Sequence, residues 1–476
     1  MIGALALLAA TAAAPVITPD CAGGLCGYSV LRPYFEKLAS ARGRGGKPVH
    51  ILQIGDSHTA GDTITGAWRD ILQARYGSGG RGVMPPGKPF NGYNPRGVSV
   101  DMSAGWTIST IFGPGSQTPH PPVGLSGFSI TSQVEGARIG MTAGAYELFN
   151  RFVICAMAQP GAGNLVITVG TTTDRMELGS FTSRPECKEM TFDTPQAAVS
   201  VATEGGPVTI TSWASFRDNG GIALSNLGVV GSQLVHFSRN DDSVIAEELR
   251  SYDPDLIVIA FGTNEGFAAR VSPQEYEIIL RTQIGRIRRL AGRVPILLLG
   301  APDALTRRNE LLNNAPTFTP APCLEPALLP PPSLPIVTPP SGADGSGGIE
   351  DVLSALDARA SMTVGGQRVL APPAAVAATP PPASSTVGWS ITAHPLFPPP
   401  GLRAVRDVQR SVAHQLRLGF WDWEARMGGR CTAVSWVKLA PARMRGDYVH
   451  YTTLGGQEIG SRLQADLDAA ANALGR

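Results

Sequence analysis

The sequence has few charged residues and almost no net charge. Lys and Arg number 39 and Asp and Glu number 38, so the formal net charge is +1, and charged residues make up only 16% of the chain. Such a balance gives no electrostatic attraction to nucleic acid or to an anionic membrane surface. We therefore expect neither of these as a partner.

Long apolar runs are also missing. The first 14 residues are apolar and end in small side chains, Ala12 to Ala14, as in a signal peptide, although the basic residues that open most signal peptides are absent. A buried helix is the alternative interpretation. No later apolar run reaches the roughly 18 residues of a membrane-spanning helix. We predict a signal peptide over 1–14, a periplasmic or secreted location and no transmembrane anchor.

Patterns that bind metals or phosphates are absent too. The sequence has neither a CxxC pair nor a cluster of histidines, so a zinc site is not expected. The glycine-rich stretch Gly79–Gly82 is not followed by the Lys-Ser/Thr pair of a phosphate-binding loop. We expect no metal and no cofactor.

Six cysteines are present, and an even number is typical of proteins from an oxidising compartment. The sequence alone allows many pairings. We favour the set in which each pair lies within one segment or flanks one insertion, with free buried thiols as the alternative. The predicted disulfides are Cys21–Cys26, Cys155–Cys187 and Cys323–Cys431.

Buried strands alternate with amphipathic helices in three parts of the 476-residue chain. In the first part, the apolar run Lys47–Asp56 precedes a helical pattern over Asp62–Tyr76. This alternation predicts an α/β fold of the three-layer, flavodoxin-like kind, with a parallel sheet covered by helices on both faces. Together the three parts have the size of one ordinary domain. Their ranges are 46–97, 223–304 and 400–474.

Two insertions interrupt this predicted domain. Residues 98–222 contain many short strands without helices between them, which is typical of a β-sandwich or jelly roll. Residues 305–399 are rich in proline, and Pro totals 40 in the chain. We interpret this second insertion as largely irregular, with a short helix near Ile349–Ala360.

Four short motifs follow predicted strands or turns and together hold the groups that acyl hydrolysis needs. They are GDSHT at Gly55–Thr59, NLGVVG at Asn226–Gly231, GTNE at Gly262–Glu265 and DYVH at Asp447–His450.

Ser57 is the candidate nucleophile. It follows Gly55 and Asp56 at the end of a predicted parallel strand, which is where α/β sheets place their ligands. A serine that only caps the next helix is the alternative and, for an isolated motif, the commoner explanation.

His450 is the candidate base, because it alone among the seven histidines has an acidic residue three positions earlier. In a tight turn, Asp447 can accept the Nδ1 proton of His450 and leave Nε2 to face the serine. His58 adjoins Ser57 and should point away from it, so we interpret it as a packing or hydrogen-bonding residue.

Three groups are candidate donors to an oxyanion: the backbone N–H groups of Ser57 and Gly231 and the side-chain amide of Asn264. Gly231 ends a strand-to-helix turn, where a side chain would obstruct substrate. An amide at position 264 donates without competing as a base. An ordinary loop glycine and a turn asparagine are the alternatives.

In this order the four motifs resemble blocks I, II, III and V of the SGNH/GDSL hydrolase family. The resemblance implies an SGNH-type α/β fold, with Ser57, Gly231, Asn264 and His450 as the functional residues and Asp447 as the partner of the histidine. The first motif reads GDSHT where the family's name-giving string has Leu. No GxSxG string occurs, which argues against an ordinary α/β-hydrolase.

A narrower similarity is to periplasmic peptidoglycan O-acetylesterases. It is carried by GDSHTAGD, by the stretches Arg75–Gly77 and Gly79–Gly82, and by the β-rich insertion. It implies a serine acetylesterase, a carbohydrate-binding-like insertion and an O-acetylated polysaccharide as substrate, with peptidoglycan first; we expect a monomer.

Six tryptophans could stack on sugars, although we favour core positions for most of them: Trp106, Trp213, Trp389, Trp421, Trp423 and Trp436.

Two other functions remain compatible with the same residues. A glycan O-acetyltransferase would form the same acetyl-enzyme and pass the acetyl group to a sugar hydroxyl. A non-catalytic cell-wall-binding protein could use the same scaffold, although all the chemical positions are filled. A lipase is disfavoured because the sequence has no obvious apolar lid.

Overall fold

The computed structural model describes residues 20–41, 45–116, 120–268, 270–307, 321–323 and 396–475. The predicted signal peptide, the helix predicted near Ile349–Ala360 and most of the proline-rich insertion lie outside these ranges. The strands are β1 (Cys21–Ala22), β2 (Leu25–Cys26), β3 (Val49–Gly55), β4 (Gly82–Met84), β5 (Val98–Met102), β6 (Trp106–Thr110), β7 (Phe128–Ser132), β8 (Arg138–Ala143), β9 (Phe149–Ala158), β10 (Asn164–Val169), β11 (Thr172–Glu177), β12 (Arg184–Gln196), β13 (Ala198–Glu204), β14 (Val208–Phe216), β15 (Ile222–Gly228), β16 (Leu256–Ala260), β17 (Ile296–Leu299) and β18 (Gly419–Trp421). The α-helices are α1 (Arg32–Ser40), α2 (Ser57–Ala60), α3 (Thr63–Tyr76), α4 (Asp242–Tyr252), α5 (Thr263–Gly266), α6 (Pro273–Ala291), α7 (Pro400–Leu416), α8 (Trp423–Met427), α9 (Thr432–Lys438) and α10 (Thr453–Ala473).

The main sheet has the strand order β1-β2-β18-β17-β16-β3-β15. The strands from β18 to β15 pair in parallel, which confirms the predicted parallel sheet of an α/β fold. The hairpin β1–β2 adds an antiparallel edge against β18. This hairpin comes from residues before the predicted domain. Its strands are two residues long, too short to give a hydrophobic pattern in the sequence.

Helices cover both faces of the main sheet. In β16, Leu256 and Val258 pack in one cluster with side chains from α1, α3 and α10. Ile257 and Ile259 point the other way, into a second cluster with α4, α6 and α7. Because both faces are buried, the central strands are apolar almost throughout, as their sequences indicate.

The helix that follows Ser57 in the chain, α3, is fixed against α10. The Trp68 indole N–H donates to Gln464 Oε1 at 2.8 Å. A side chain at Gly460 would come within 3.1 Å of the Trp68 backbone nitrogen, so a glycine there lets the two helices approach closely. The helix that follows the Ser57 turn is therefore held by its close contact with α10.

The insertion after α3 forms two antiparallel sheets that share one core. Their strand orders are β11-β10-β13-β8-β5 and β12-β9-β14-β7-β6, and β4 lies beside β14. Buried side chains from both sheets meet, among them Ile139, Ile154 and Ile167. β4 lies ahead of the predicted boundary at residue 98, and Met84 pairs with Trp213 across the two strands.

The three predicted disulfides are formed: Cys21–Cys26, Cys155–Cys187 and Cys323–Cys431. The first closes the β1–β2 hairpin, and the second joins the neighbouring strands β9 and β12. The third joins residues that are 108 positions apart.

The interpretation of most tryptophans as core residues is confirmed for Trp213, Trp421, Trp423 and Trp436, whose exposed fractions are 3% or less. Trp106 is partly buried against the core of the inserted domain. Trp389 lies outside the described residues. Within the described ranges, no helix combines the length and the apolar character needed to span a membrane.

Replacing Ile257 tests the central packing of the sheet. Ile257→Ala removes a fully buried side chain and should lower the free energy of unfolding by about 2–5 kcal/mol. Ile278→Ala is the matched control, because Ile278 lies on α6 with 64% of its surface exposed; its effect should stay within about 0.5 kcal/mol. Urea unfolding of both variants gives the measurement, and similar losses would contradict this account of the core.

Candidate active site

Three of the four motifs meet where the central strands end. β3 lies between β15 and β16 in the sheet. The Val229 N–H, just past β15, donates to the carbonyl oxygen of Gly55 at 3.0 Å, and the Asp56 N–H donates to the carbonyl oxygen of Ala260 at 3.4 Å. The carboxyl ends of parallel strands are the usual place for ligands in such sheets. Ser57, Gly231 and Asn264 all follow these ends.

The turn that carries Ser57 has no room for a side chain at Gly55. A Cβ there would collide with Thr59 Oγ1 and lie 2.6 Å from the carbonyl oxygen of Ala260. Asp56 then caps the short helix α2 by accepting the His58 N–H at 3.0 Å. Ser57 opens this helix and is only 7% exposed. The glycine and the cap together fix the serine at the strand end.

Ser57, His450 and Asp447 form one hydrogen-bonded chain. Ser57 Oγ lies 2.9 Å from His450 Nε2, and His450 Nδ1 lies 2.8 Å from Asp447 Oδ2. Since an ionised carboxylate only accepts, Nδ1 carries the proton and Nε2 is left to accept from the serine hydroxyl. The structure therefore brings the candidate nucleophile, base and orienting residue into the arrangement that the sequence analysis proposed for them.

The DYVH turn positions this histidine through its own carboxylate. Asp447 Oδ1 accepts the backbone N–H groups of Val449 and His450, each at 2.9 Å. Tyr448 adopts a left-handed conformation with φ of 61°, which lets the chain turn back within three residues. Burial opposes the charge on Asp447, but the hydrogen bonds from His450 and the backbone outweigh it and lower its pKa to about 2. Asp447 is therefore ionised at neutral pH.

His58 joins the serine turn to the histidine turn. Its Nδ1 lies 3.3 Å from Asp56 Oδ1, and its Nε2 lies 3.1 Å from the carbonyl oxygen of Val449. Both partners accept, so the protonated ring satisfies both contacts. Burial alone would lower the pKa of His58, but Asp56 and Val449 reverse this and raise it. The ring also packs 5.4 Å from those of Trp423 and His450, which confirms the interpretation of His58 as a packing and hydrogen-bonding residue.

Gly231 and Asn264 lie on two segments that are bonded to each other. The Asn264 side-chain N–H donates to the carbonyl oxygen of Ser232 at 2.9 Å, and the Gln233 amide donates to the carbonyl oxygen of Asn264 at 3.0 Å. Gly231 has φ of 76°, a conformation that favours glycine. A carboxamide has two N–H groups, and within the described part of the chain only one of those of Asn264 is engaged.

Glu265 is a residue that the sequence analysis missed. Its Oε1 accepts the Leu234 N–H at 2.7 Å, which holds the segment after Gly231 against α5. Oε2 is buried and has no partner among the described residues. Burial raises the pKa of Glu265 to about 7. An acidic residue next to Asn264 gave no signal in the sequence, because its burial depends on packing between segments that are distant in the chain.

Candidate metal ligands do not gather at this site. Within the described ranges, no three or more His, Cys, Asp or Glu side chains are grouped so that they could hold a metal ion. The side chains that converge here are the hydrogen-bonded chain of Ser57, His450 and Asp447.

Comparison with solved structures defines the fold further. The chain resembles a solved peptidoglycan O-acetylesterase with a TM-score of 0.64 and 22% sequence identity, over 95% of this chain and 100% of that one. The two chains therefore share a fold, and the predicted mixed α/β fold with a parallel sheet is confirmed. No family model matches the chain, and no curated protein sequence matches it.

Other solved structures match more weakly. A carbohydrate esterase family 2 enzyme with a carbohydrate-binding domain from Corynascus thermopiles (Myceliophthora fergusii) is 10% identical, with a TM-score of 0.26 over 78% of this chain and 100% of that one. An acetyl xylan esterase is 11% identical, with a TM-score of 0.25 over 51% and 80% of the two chains. These scores are too low to carry an argument.

Glu265 predicts a dependence of stability on pH. The pKa of the carboxyl is about 7 in the folded protein against the ordinary 4.5. Between these values the folded state holds a proton that the unfolded state has released, so stability falls as pH rises through this window. Glutamine cannot ionise and can still accept the Leu234 N–H. Relative to wild type, Glu265→Gln should therefore gain melting temperature between about pH 4.5 and pH 7.

Thermal unfolding at several pH values measures this gain. Glu275→Gln is the control, because its side chain is exposed at the start of α6. If the difference between the Glu265→Gln variant and wild type is the same at every pH, the carboxyl of Glu265 does not titrate as described.

Proposed function

We propose that the protein is an SGNH-type serine esterase that removes O-acetyl groups from a glycan through an acetyl-enzyme on Ser57. The observation that carries this proposal is the hydrogen-bonded chain from Asp447 through His450 to Ser57, at 2.8 and 2.9 Å. This chain lies at the carboxyl ends of the parallel strands, beside the candidate oxyanion donors Gly231 and Asn264, which supports the same chemistry.

In the first half-reaction, Ser57 Oγ attacks the carbonyl carbon of the acetyl ester while His450 Nε2 takes the serine proton. The carbonyl oxygen becomes an oxyanion, which the N–H groups of Ser57, Gly231 and Asn264 stabilise. The bond between the acetyl carbon and the sugar oxygen then breaks. His450 returns its proton to that oxygen, and the sugar leaves with a free hydroxyl.

In the second half-reaction, His450 Nε2 takes a proton from water, and the hydroxide attacks the acetyl carbon on Ser57. The new tetrahedral intermediate collapses, the bond to Ser57 Oγ breaks, and acetate leaves as the serine regains its proton. Asp447 remains ionised throughout, because its pKa is about 2. Its role is to hold the Nδ1 tautomer and to stabilise the imidazolium.

Peptidoglycan is the first candidate among the glycans. The similar solved structure is a peptidoglycan O-acetylesterase, and its match extends over 95% of this chain. We extend this substrate to the present chain as a proposal, with residues 46–97, 223–304 and 400–474 as the catalytic domain and 98–222 as a carbohydrate-binding-like domain. Three disulfides support an oxidising compartment, the periplasm or the outside of the cell.

Acetate release from O-acetylated peptidoglycan tests the function directly. The wild type should release acetate, and Ser57→Ala should abolish release while the melting temperature is kept, because only the attacking hydroxyl is removed. Release by both proteins would rule out Ser57 as the nucleophile. If a small aryl acetate is cleaved in a Ser57-dependent way but peptidoglycan is not, the substrate proposal fails while the chemistry stands. Transfer of the acetyl group to an added sugar, in place of acetate release, would identify an O-acetyltransferase.

The two relay residues should differ in their effects. His450→Ala removes the base itself. In Asp447→Asn the carboxamide can still accept backbone N–H groups but no longer fixes the Nδ1 proton, so kcat should fall by roughly 10²–10⁴. The loss in His450→Ala should be larger, and kcat on an aryl acetate measures both. An equal or greater loss in Asp447→Asn would mean that the carboxylate does more than orient the histidine.

A further inference from the structure

A loop of the inserted domain contacts the segment that carries Gly231. The Arg239 guanidinium donates to the carbonyl oxygen of Ile111 at 2.7 Å. Beneath the loop, Ile111 and Phe128 of the inserted domain share a small buried cluster with Val229, which lies two residues before Gly231. The end of β6 is thus fixed to the turn between β15 and the 3₁₀ helix at Leu234–Arg239.

Phe112 extends from this loop to Gly231. A Cβ built on Gly231 would lie 2.8 Å from Phe112 Cε1, so the aromatic ring occupies the space that a side chain there would need. The ring is only half-buried. The inserted domain therefore places an aromatic side chain against the backbone whose N–H is the proposed oxyanion donor.

Phe112 also stacks on His236. The two ring centroids are 4.5 Å apart, and the ring planes differ by 22°. His236 is half-buried as well. The pair thus places a phenyl ring and an imidazole, one from each domain, next to Gly231.

The proton on His236 is fixed by a local hydrogen bond. Its Nδ1 accepts the Gln233 backbone N–H at 3.0 Å, so the neutral ring carries its proton on Nε2. Burial and the nearby Arg239 lower the pKa of His236 to about 4, which keeps the ring neutral in ordinary buffers. Among the described residues, Nε2 has no hydrogen-bond partner. The imidazole is therefore an uncharged donor with a fixed direction.

We propose that Phe112 and His236 bind a sugar ring of the substrate, with Phe112 against its apolar face and His236 Nε2–H donating to a hydroxyl or carbonyl oxygen. The assignment rests on the proposed function, which it deepens by placing a glycan subsite beside Gly231. The pair has no charge, which suits a neutral sugar. It also makes the inserted domain part of the active site, so that the enzyme distinguishes a glycan ester from a small one.

Two substrates show whether the subsite exists. In Phe112→Ala, the ratio of kcat/KM for O-acetylated peptidoglycan to kcat/KM for an aryl acetate should fall by ~10-fold, the effect expected of about 1–1.5 kcal/mol of lost aromatic contact. Ile278→Ala is the control, because Ile278 is exposed on α6, outside the inserted domain. A ratio that stays the same in Phe112→Ala, or that falls as far in Ile278→Ala, would overturn the proposal.

Two substitutions of His236 separate binding from packing. In His236→Asn, the carboxamide oxygen can replace Nδ1 as acceptor for the Gln233 N–H, but the Nε2 donor is lost. In His236→Gln, the longer side chain can place an N–H near the Nε2 position. The specificity ratio should therefore fall by ~10-fold in the Asn variant and recover in part in the Gln variant. A purely structural role predicts the opposite order or equal effects.

A binding measurement keeps this proposal separate from the fate of the catalytic one. In the Ser57→Ala background, O-acetylated glycan fragments should bind ~10-fold more weakly once Phe112 is also replaced by alanine. This result would support the subsite even if the wild type released no acetate, in which case the esterase proposal alone would fail. Equal binding with and without Phe112, in variants with unchanged melting temperatures, would refute the subsite whether or not acetate is released.

Discussion

The site depends on the close contact of three backbones at the end of β3. Gly55 accepts a hydrogen bond from Val229, just past β15, and the next residue, Asp56, donates to Ala260 at the end of β16. A side chain at Gly228 would likewise collide with the backbone nitrogen of Ala60 in the serine helix. Because no side chain separates these strand ends, Ser57 and the two candidate oxyanion segments start from positions set by the register of the sheet. The backbone contacts therefore determine the relative positions of the side chains in the site.

A buried group of charges fixes the inserted domain beside this centre. Asp62, five residues after Ser57, accepts from Arg69 at 2.9 Å, from Arg81 at 3.1 Å and from the backbone N–H of Arg96 at 3.0 Å. Glu147 of the inserted domain faces the same Arg69 at 3.7 Å. Burial opposes the charge of Asp62, but the arginines prevail and lower its pKa. Buried ion pairs add little net stability, yet a partner left alone is costly, so such a group favours one relative position of the two domains.

The sequence predicted what local patterns can carry, and it missed what depends on contacts between distant segments. The parallel sheet followed from apolar runs alternating with helical spacing. The contact between Asp447 and His450 followed from a separation of three residues. The proximity of His450 to Ser57 was implied by the resemblance of the four motifs to those of the SGNH/GDSL hydrolases. The roles of Glu265 and Phe112 could not be found in this way. Glu265 is recognisable only by the burial of its carboxyl against Leu234, and Phe112 only by its approach to Gly231 from another domain.

The third disulfide has a topological consequence. Cys323 bonds to Cys431, and the chain on the two sides of the proline-rich insertion meets in short bridges, Thr306 with Phe397 and Cys323 with Leu396. The chain thus enters and leaves the proline-rich insertion at neighbouring positions, which the disulfide holds together. A protease that cut once between 323 and 431 would produce two pieces that remain covalently joined. Under denaturing conditions the nicked protein would therefore remain a single species until a reductant opened that bond. The part of the chain beyond the cut would stay covalently attached to the rest.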